Sequence, residues 1–283
     1  MKIVRTFATS ANLGPGFDTL GICFDIYNEY SYEVSNEFSL EGFNDGYSDP
    51  NNNLIITSYK EVFNVLQKDI TPIRLTEIIQ NIPLSRGLGS SASCIVAGVL
   101  IANDILGNVL STDEIFQIAS KIEGHPDNVA PLIFGGMTCS FKNDKYITIK
   151  LNVSNNLKFM VCIPPFELST EKARSVLPKE VKMSDAVSNI SHSIALTKAI
   201  ELGDVDLLIE SSIDKLHQEY RFPLIKDSSW FIEYAMENNS SCMISGAGPT
   251  ILLISNKILN ISFKNWIIRE VKINNQGAYV YEK

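Results

Sequence analysis

The sequence predicts an α+β protein folded as two lobes. Three observations carry that expectation. The chain has 283 residues, enough for one large domain or two ordinary ones. Its opening alternates short apolar runs with turn residues before a helical period takes over. A polar stretch over 152–156 then separates two halves, each with strand-like and helix-like segments. That stretch sets the expected boundary, with an N-terminal domain over 1–153 and a C-terminal domain over 154–283.

The elements follow in order. Residues 22–27 and 30–34 alternate apolar and polar side chains as strands do. The run Asn51-Asn52-Asn53 reads as a loop before a helix, in which Ile55, Tyr59, Val62, Phe63 and Leu66 fall at helical spacing. Ala92, Ile95, Val96, Val99 and Leu100 repeat that spacing. A third helix has a marked start and stop: Ser111 and Glu114 form a capping box, Ile115, Ile118, Ala119 and Ile122 make its apolar stripe, and Gly124 ends it. Strands are expected up to Leu151 and over 159–163. Helices are expected from about Ser169 and over 184–202, 204–219 and 227–238, followed by strands at 242–245 and 251–254 and a closing apolar stretch.

Composition excludes several classes of function. With 45% apolar and 20% charged residues the chain is globular, and a net charge of −8 argues against phosphate-backbone contacts, so no nucleic-acid partner is expected. The five cysteines are scattered and lack C-x-x-C spacing, which suggests neither a disulfide framework nor a zinc site. The first six residues lack the apolar core of a signal peptide, and no apolar run approaches membrane-spanning length. The expected address is cytoplasmic, with no membrane partner.

The strongest local signal is Pro83-Leu84-Ser85-Arg86-Gly87-Leu88-Gly89-Ser90-Ser91-Ala92-Ser93, where glycines and serines lead into an apolar-periodic helix. Glycines let a bound group approach the backbone, and the unpaired N–H groups and dipole of a helix start favour an anion. It is neither a P-loop nor a dinucleotide fingerprint, since the lysine and the third glycine are missing. Taken alone, it reads equally well as a loop that only turns the chain and caps a helix. Glu123 is the second signal. It falls in the last turn of its helix, where the macrodipole disfavours an anion, so a compensating cation suits the position.

Pro-x-x-x-Gly-Leu-Gly-Ser-Ser resembles the second motif of the GHMP kinases. Ser10-Ala11-Asn12-Leu13-Gly14-Pro15-Gly16-Phe17-Asp18 resembles the first, in the form carried by the family's homoserine kinases, and Ser245-Gly246-Ala247-Gly248-Pro249-Thr250 resembles the third. Three ordered motifs span almost the whole chain. The resemblance implies an N-terminal domain like ribosomal protein S5 domain 2, a ferredoxin-like C-terminal domain, and ATP and Mg²⁺ bound between them. It places the phosphates against Pro83 to Ser93, a metal on Glu123 with the hydroxyl of Ser90 or Ser91, and adenine near Asn53. Asn53 is read equally well as a helix N-cap. The family has glycine where Ser85 stands, which puts the loop's path in question.

The segment Glu123-Gly124-His125-Pro126-Asp127-Asn128 is similar to the homoserine kinase stretch that joins metal ligand to substrate pocket. Arginine is scarce in the chain, and Arg174 and Arg221 lie in segments like those that grip the substrate carboxylate, with Thr170 nearby. By the same resemblance Asn12, Asp18, His125, Asp127 and Gly246 serve the rest of L-homoserine. Asn128 stands where mevalonate kinase-like relatives carry a catalytic aspartate, which implies transfer without a side-chain base. The hydroxyl is then positioned by Asn12 and gives its proton to the phosphate. His192 and His217 are read as structural. Rival readings are a family kinase acting on threonine, mevalonate or a sugar, and a non-catalytic nucleotide binder. A homodimer is left open.

Overall fold

In the computed structural model, which describes residues 1–283 except Asp45, the chain opens with β1 (Lys2–Ala11), β2 (Leu20–Val34), β3 (Ser39–Glu41), α1 (Leu54–Val65) and β4 (Ile73–Gln80). Helices α2 (Ser90–Ile105), α3 (Thr112–Glu123) and α4 (Val129–Phe134) precede a hairpin, β5 (Met137–Lys142) and β6 (Tyr146–Leu151). The second half holds β7 (Lys158–Ile163), α5 (Thr170–Ser175), α6 (Met183–Leu202), α7 (Val205–Ser211), α8 (Gln218–Arg221) and α9 (Ser228–Glu237). It closes with β8 (Ser241–Ile244), β9 (Ile251–Ser255), β10 (Ile267–Val271) and β11 (Tyr279–Glu282).

Local chemistry accounts for the helix ends that bear on the site. Both capping-box bonds of α3 form between Ser111 and Glu114, and Gly124 ends the helix at φ 92°. Asn53 caps α1 by accepting from the N–H groups of Ile55 and Ile56. Helix α2 runs through the centre of the first lobe and meets α1 at Gly98, where an added Cβ would stand 2.2 Å from the Ile55 carbonyl.

The first sheet runs β11-β1-β2-β4-β3, with β5 on β2 and β6 on β5. Strand β2 spans 15 residues, so its far end pairs with β4 while its start pairs with β5. Helices α1 to α4 cover this sheet through a core that includes Val4, Tyr59, Val96 and Phe116. The second sheet runs β10-β7-β9-β8 with every neighbour antiparallel, which is the order of a ferredoxin-like layer. Its Phe159 and Val161 face the first lobe, meeting Ile22 and Phe24 in a core shared with Leu196 and Ile200 of α6. Met160 and Cys162 take the opposite face beneath α9, as the two-residue strand period requires.

Three features depart from the sequence reading or lie beyond it. Strand β11, at the end of the second half, pairs with β1 of the first sheet, Ile3 opposite Tyr281. The connection from β9 to β10 carries no helix; Phe263 and Trp266 instead pack on Trp230 and Phe231, with ring centroids 4.5 and 4.4 Å apart. The helix expected over 204–219 is broken. Asp214 accepts from the N–H groups of Leu216, His217 and Gln218 at 3.1, 2.8 and 2.6 Å and from the Asn189 amide at 2.7 Å. A buried carboxylate outcompetes a helical carbonyl for those donors, and the chain turns around it. Among the described residues, no helix is long and apolar enough to cross a membrane.

Candidate active site

The glycine segment lies where the lobes meet. Gly89 opens α2 in the left-handed region, at φ 68°, and no side chain caps the helix. Its first N–H groups therefore face open space with the helix dipole behind them, the arrangement that holds an anion. The path is wedged: a Cβ on Gly89 would lie 2.0 Å from Thr9 Oγ1, and one on Gly87 would lie 2.3 Å from the Ser245 carbonyl. Ser85 adopts φ 52°, the glycine-like conformation, while carrying a side chain.

Two clefts flank this helix start and share Ser85, Ser90 and Ser91 as a common wall. One is largely apolar, lined by Tyr30, Phe43, Tyr47, Leu54 and Leu84 among others. The other is polar and holds Asn12, Glu123, His125, Asp127, Thr170 and both candidate arginines. Asn128 and Gly246 line it too.

At the wall of the polar cleft, Ser91 Oγ donates to Glu123 Oε2 at 2.7 Å. Burial pushes the Glu123 carboxyl up, the Ser91 hydrogen bond opposes the shift, and no cation among the described residues pairs with it. An oxygen-only donor pair around a desolvated, uncompensated carboxylate suits Mg²⁺, which takes oxygen ligands and shares them with nucleotide phosphates. The described residues form no cluster of three or more acidic, histidine or cysteine side chains, so a metal here would need ligands from a nucleotide and water. Of the two serines left open above, Ser91 is the one that reaches Glu123.

Behind it, Asp127 is buried and its carboxyl is pushed up to about 7, by burial first and then by Asp18. His125 is held below the usual imidazole range by burial and by the Arg174 charge. Arg174 pairs with Asp18. Arg221 is 1% exposed; burial and the neighbouring Arg174 lower it to about 10, so it stays cationic at neutral pH. It donates to the Ala173 carbonyl at 3.2 Å and lies over the Phe17 ring, 5.2 Å from its centroid. Asn12, at φ 56°, ties the first and third motifs together. Its amide donates to the Gly246 carbonyl at 3.0 Å and its oxygen accepts from the Asp18 N–H at 2.8 Å. Asn128 Oδ1 accepts from the Thr9 hydroxyl at 2.8 Å.

Other candidates point elsewhere. Arg86 turns away from both clefts, donating to the carbonyls of Pro164 and Pro165 and pairing with Glu167. It locks the glycine loop to the segment that leads into α5. Leu88 and Ala92 are buried, and Ser93 bonds to Thr6 beneath the helix. Pro83 only leads into the loop, lining neither cleft. Asn53 does line the apolar cleft, but its oxygen caps α1 and its amide donates to the Tyr47 carbonyl. Sequence reasoning gave Phe17 no separate role and read His217 as structural; both lie against Arg221. The His217 ring stacks on Phe17 at 5.3 Å, its Nε2–H donates to the Gly14 carbonyl at 2.8 Å, and Nδ1 accepts from Arg221 at 3.3 Å. A histidine four residues before a candidate arginine was the available signal.

Residues 53–136 match the family model described as the GHMP kinases N terminal domain. A homoserine kinase of Clostridium beijerinckii is 40% identical to this chain, covering 100% of it and 99% of the relative. The chain belongs to the homoserine kinase family. Within that family, the crystal structure of homoserine kinase from Cytophaga hutchinsonii matches with a TM-score of 0.86 at 28% identity, over 99% of this chain and 97% of the other. Phosphomevalonate kinase of Streptococcus pneumoniae, solved with phosphomevalonate and AMPPNP, matches with a TM-score of 0.72 at 15% identity over 91% and 93% of the chains, which shows the fold alone. Homoserine kinase family membership accounts for the three glycine-rich motifs and the two-lobed α+β architecture.

Proposed function

We propose that this chain is a homoserine kinase of the cytoplasm, transferring the γ-phosphoryl group of ATP to the side-chain hydroxyl of L-homoserine in threonine biosynthesis. The observation that carries the reading is the shared wall. A single uncapped helix start separates an apolar cleft suited to a base from a polar cleft that holds both charges an amino acid needs. The N–H groups opening α2 cradle the phosphates, and Arg174 and Arg221 receive the α-carboxylate. Asp18 and Asp127 face the α-ammonium, with Thr170, Gly246 and His125 lining the same cleft.

Ser91 and Glu123 would hold Mg²⁺, which when bound neutralises charge on the transferring phosphates. The chain's own part is alignment. Asn12 fixes the first motif against the third, and Asn128, whose oxygen is engaged by Thr9, cannot accept a proton as a carboxylate would. The substrate hydroxyl therefore passes its proton to the phosphate in a loose transition state, and catalysis rests on position and charge. Abolition of kcat in Asn128→Ala with both KM values unchanged would restore a direct chemical role for that side chain.

The deciding experiment is a coupled ADP-release assay with L-homoserine, L-threonine and mevalonate as acceptors. Turnover with homoserine at least about tenfold above the others, in kcat/KM, is the expected result. Preference for another acceptor, or no acceptor-dependent turnover, sinks the reading.

A further inference from the structure

Strand β4 interrupts its own apolar pattern in the base cleft. Ile73 and Leu75 follow the two-residue period inward and are fully buried in the core with α1 and α2. The next inward residue is Glu77, directly across from Tyr30 of β2. Its neighbours in the cleft include Tyr30, Phe43 and Cys94. Burial raises the carboxyl above its ordinary range, and among the described residues no hydrogen bond or ion pair reaches it; Arg74, on the same strand, is paired with Glu33 and Glu41 instead. A half-buried carboxylate among aromatic rings lacks the donor that such groups normally have. Of the other amide side chains lining the cleft, Asn53 is occupied by its cap and by Tyr47, and Asn44 and Gln80 are exposed to solvent.

We propose that Glu77 reads the base of the nucleotide, accepting a hydrogen bond from the exocyclic 6-amino group of adenine. This rests on the cleft being the nucleotide site, as argued above. A site with an unpaired acceptor favours a base that brings a donor and rejects one that leaves the acceptor empty. The aromatic walls hold any purine; the carboxylate distinguishes among them.

The test is calorimetric binding without acceptor, comparing Mg·ATP with Mg·purine riboside triphosphate, which lacks only the amino group, and with Mg·GTP, whose amino group sits at position 2. The wild-type protein should bind ATP at least about tenfold tighter than either. In Glu77→Leu, which continues the inward apolar series, the ATP advantage over purine riboside triphosphate should fall to within about threefold. Glu77→Gln, which keeps an acceptor oxygen, should retain part of it. Equal wild-type binding of ATP and the des-amino nucleotide overturns the proposal, as does an unchanged ratio in Glu77→Leu, and tighter binding of GTP overturns the adenine assignment. If ATP binds with the expected ratio but homoserine is not phosphorylated, the function proposed above fails while the role of Glu77 stands.

Discussion

Asp18 and Arg174, 156 residues apart in the chain, meet fork to fork: Nη2 of the arginine lies 2.7 Å from one carboxylate oxygen and Nη1 3.2 Å from the other. The motif resemblance placed these residues at opposite ends of a substrate, one for its ammonium and one for its carboxylate. Here each satisfies the other. The buried Nε of Arg174 has no partner among the described residues. Under the function proposed above, a zwitterionic amino acid would enter by exchanging partners, its ammonium replacing the guanidinium on Asp18 and its carboxylate taking the arginine. The pair thus carries no net charge before such a ligand arrives.

Arg174→Lys and Arg221→Lys keep the charge and lose the planar fork. Each should raise KM for homoserine roughly 10- to 100-fold while leaving KM for ATP within about twofold, as read by steady-state kinetics. Comparable losses against both substrates would remove these arginines from the acceptor pocket.

Glu123→Gln should lower kcat/KM by about 10²–10³ and weaken the dependence of rate on Mg²⁺ concentration. The same change should raise the melting temperature of the nucleotide-free protein at neutral pH, because burial disfavours the carboxylate it removes. A variant that loses activity and stability together would mark Glu123 as structural.

Asp127 supplies a pH prediction. Its folded-state value, about 7, lies above that of an unfolded aspartate. The folded form therefore holds the proton more tightly. Stability from this group is complete below about pH 4 and is lost as pH rises through the folded-state value. Asp127→Asn should be more stable than wild type at pH 8, with the advantage shrinking by pH 5, as measured by urea denaturation at both values. An advantage of equal size at the two pH values would contradict the buried-acid account.

His217 supports Arg221 from below as a neutral ring, held there by burial. His217→Ala should raise KM for homoserine roughly 5- to 50-fold with little change for ATP, and His217→Gln should recover part of it. Loss confined to thermal stability would reduce the histidine to core packing.

Much of the fold was legible because its signals are short-range. The Ser111–Glu114 box, the Gly124 stop and the apolar spacing of α1 and α2 act within a few residues; α3 starts and stops where those signals put it, α6 begins one residue before its expected start, and α2 runs on to Ile105, beyond the last apolar position read for it. The break at 212–217 was not legible, because Asp214 is drawn into it by Asn189 on another helix. The direction of the Arg86 side chain was hidden for a similar reason. It lies inside an anion-binding motif, yet its partners are carbonyls of Pro164 and Pro165, which no local pattern connects to it.

The sequence alone determined the family, the glycine-led start of α2 and the set of polar residues in the motifs, because backbone conformation and motif spacing are properties of neighbouring residues. Tertiary structure decided which of those residues touch. It paired Asp18 with Arg174, set His217 beside Arg221, turned Glu77 into the apolar cleft and brought β11 back to β1. Those choices depend on strand order and on side-chain direction at positions far apart in the chain, which only the packed core between the two sheets specifies.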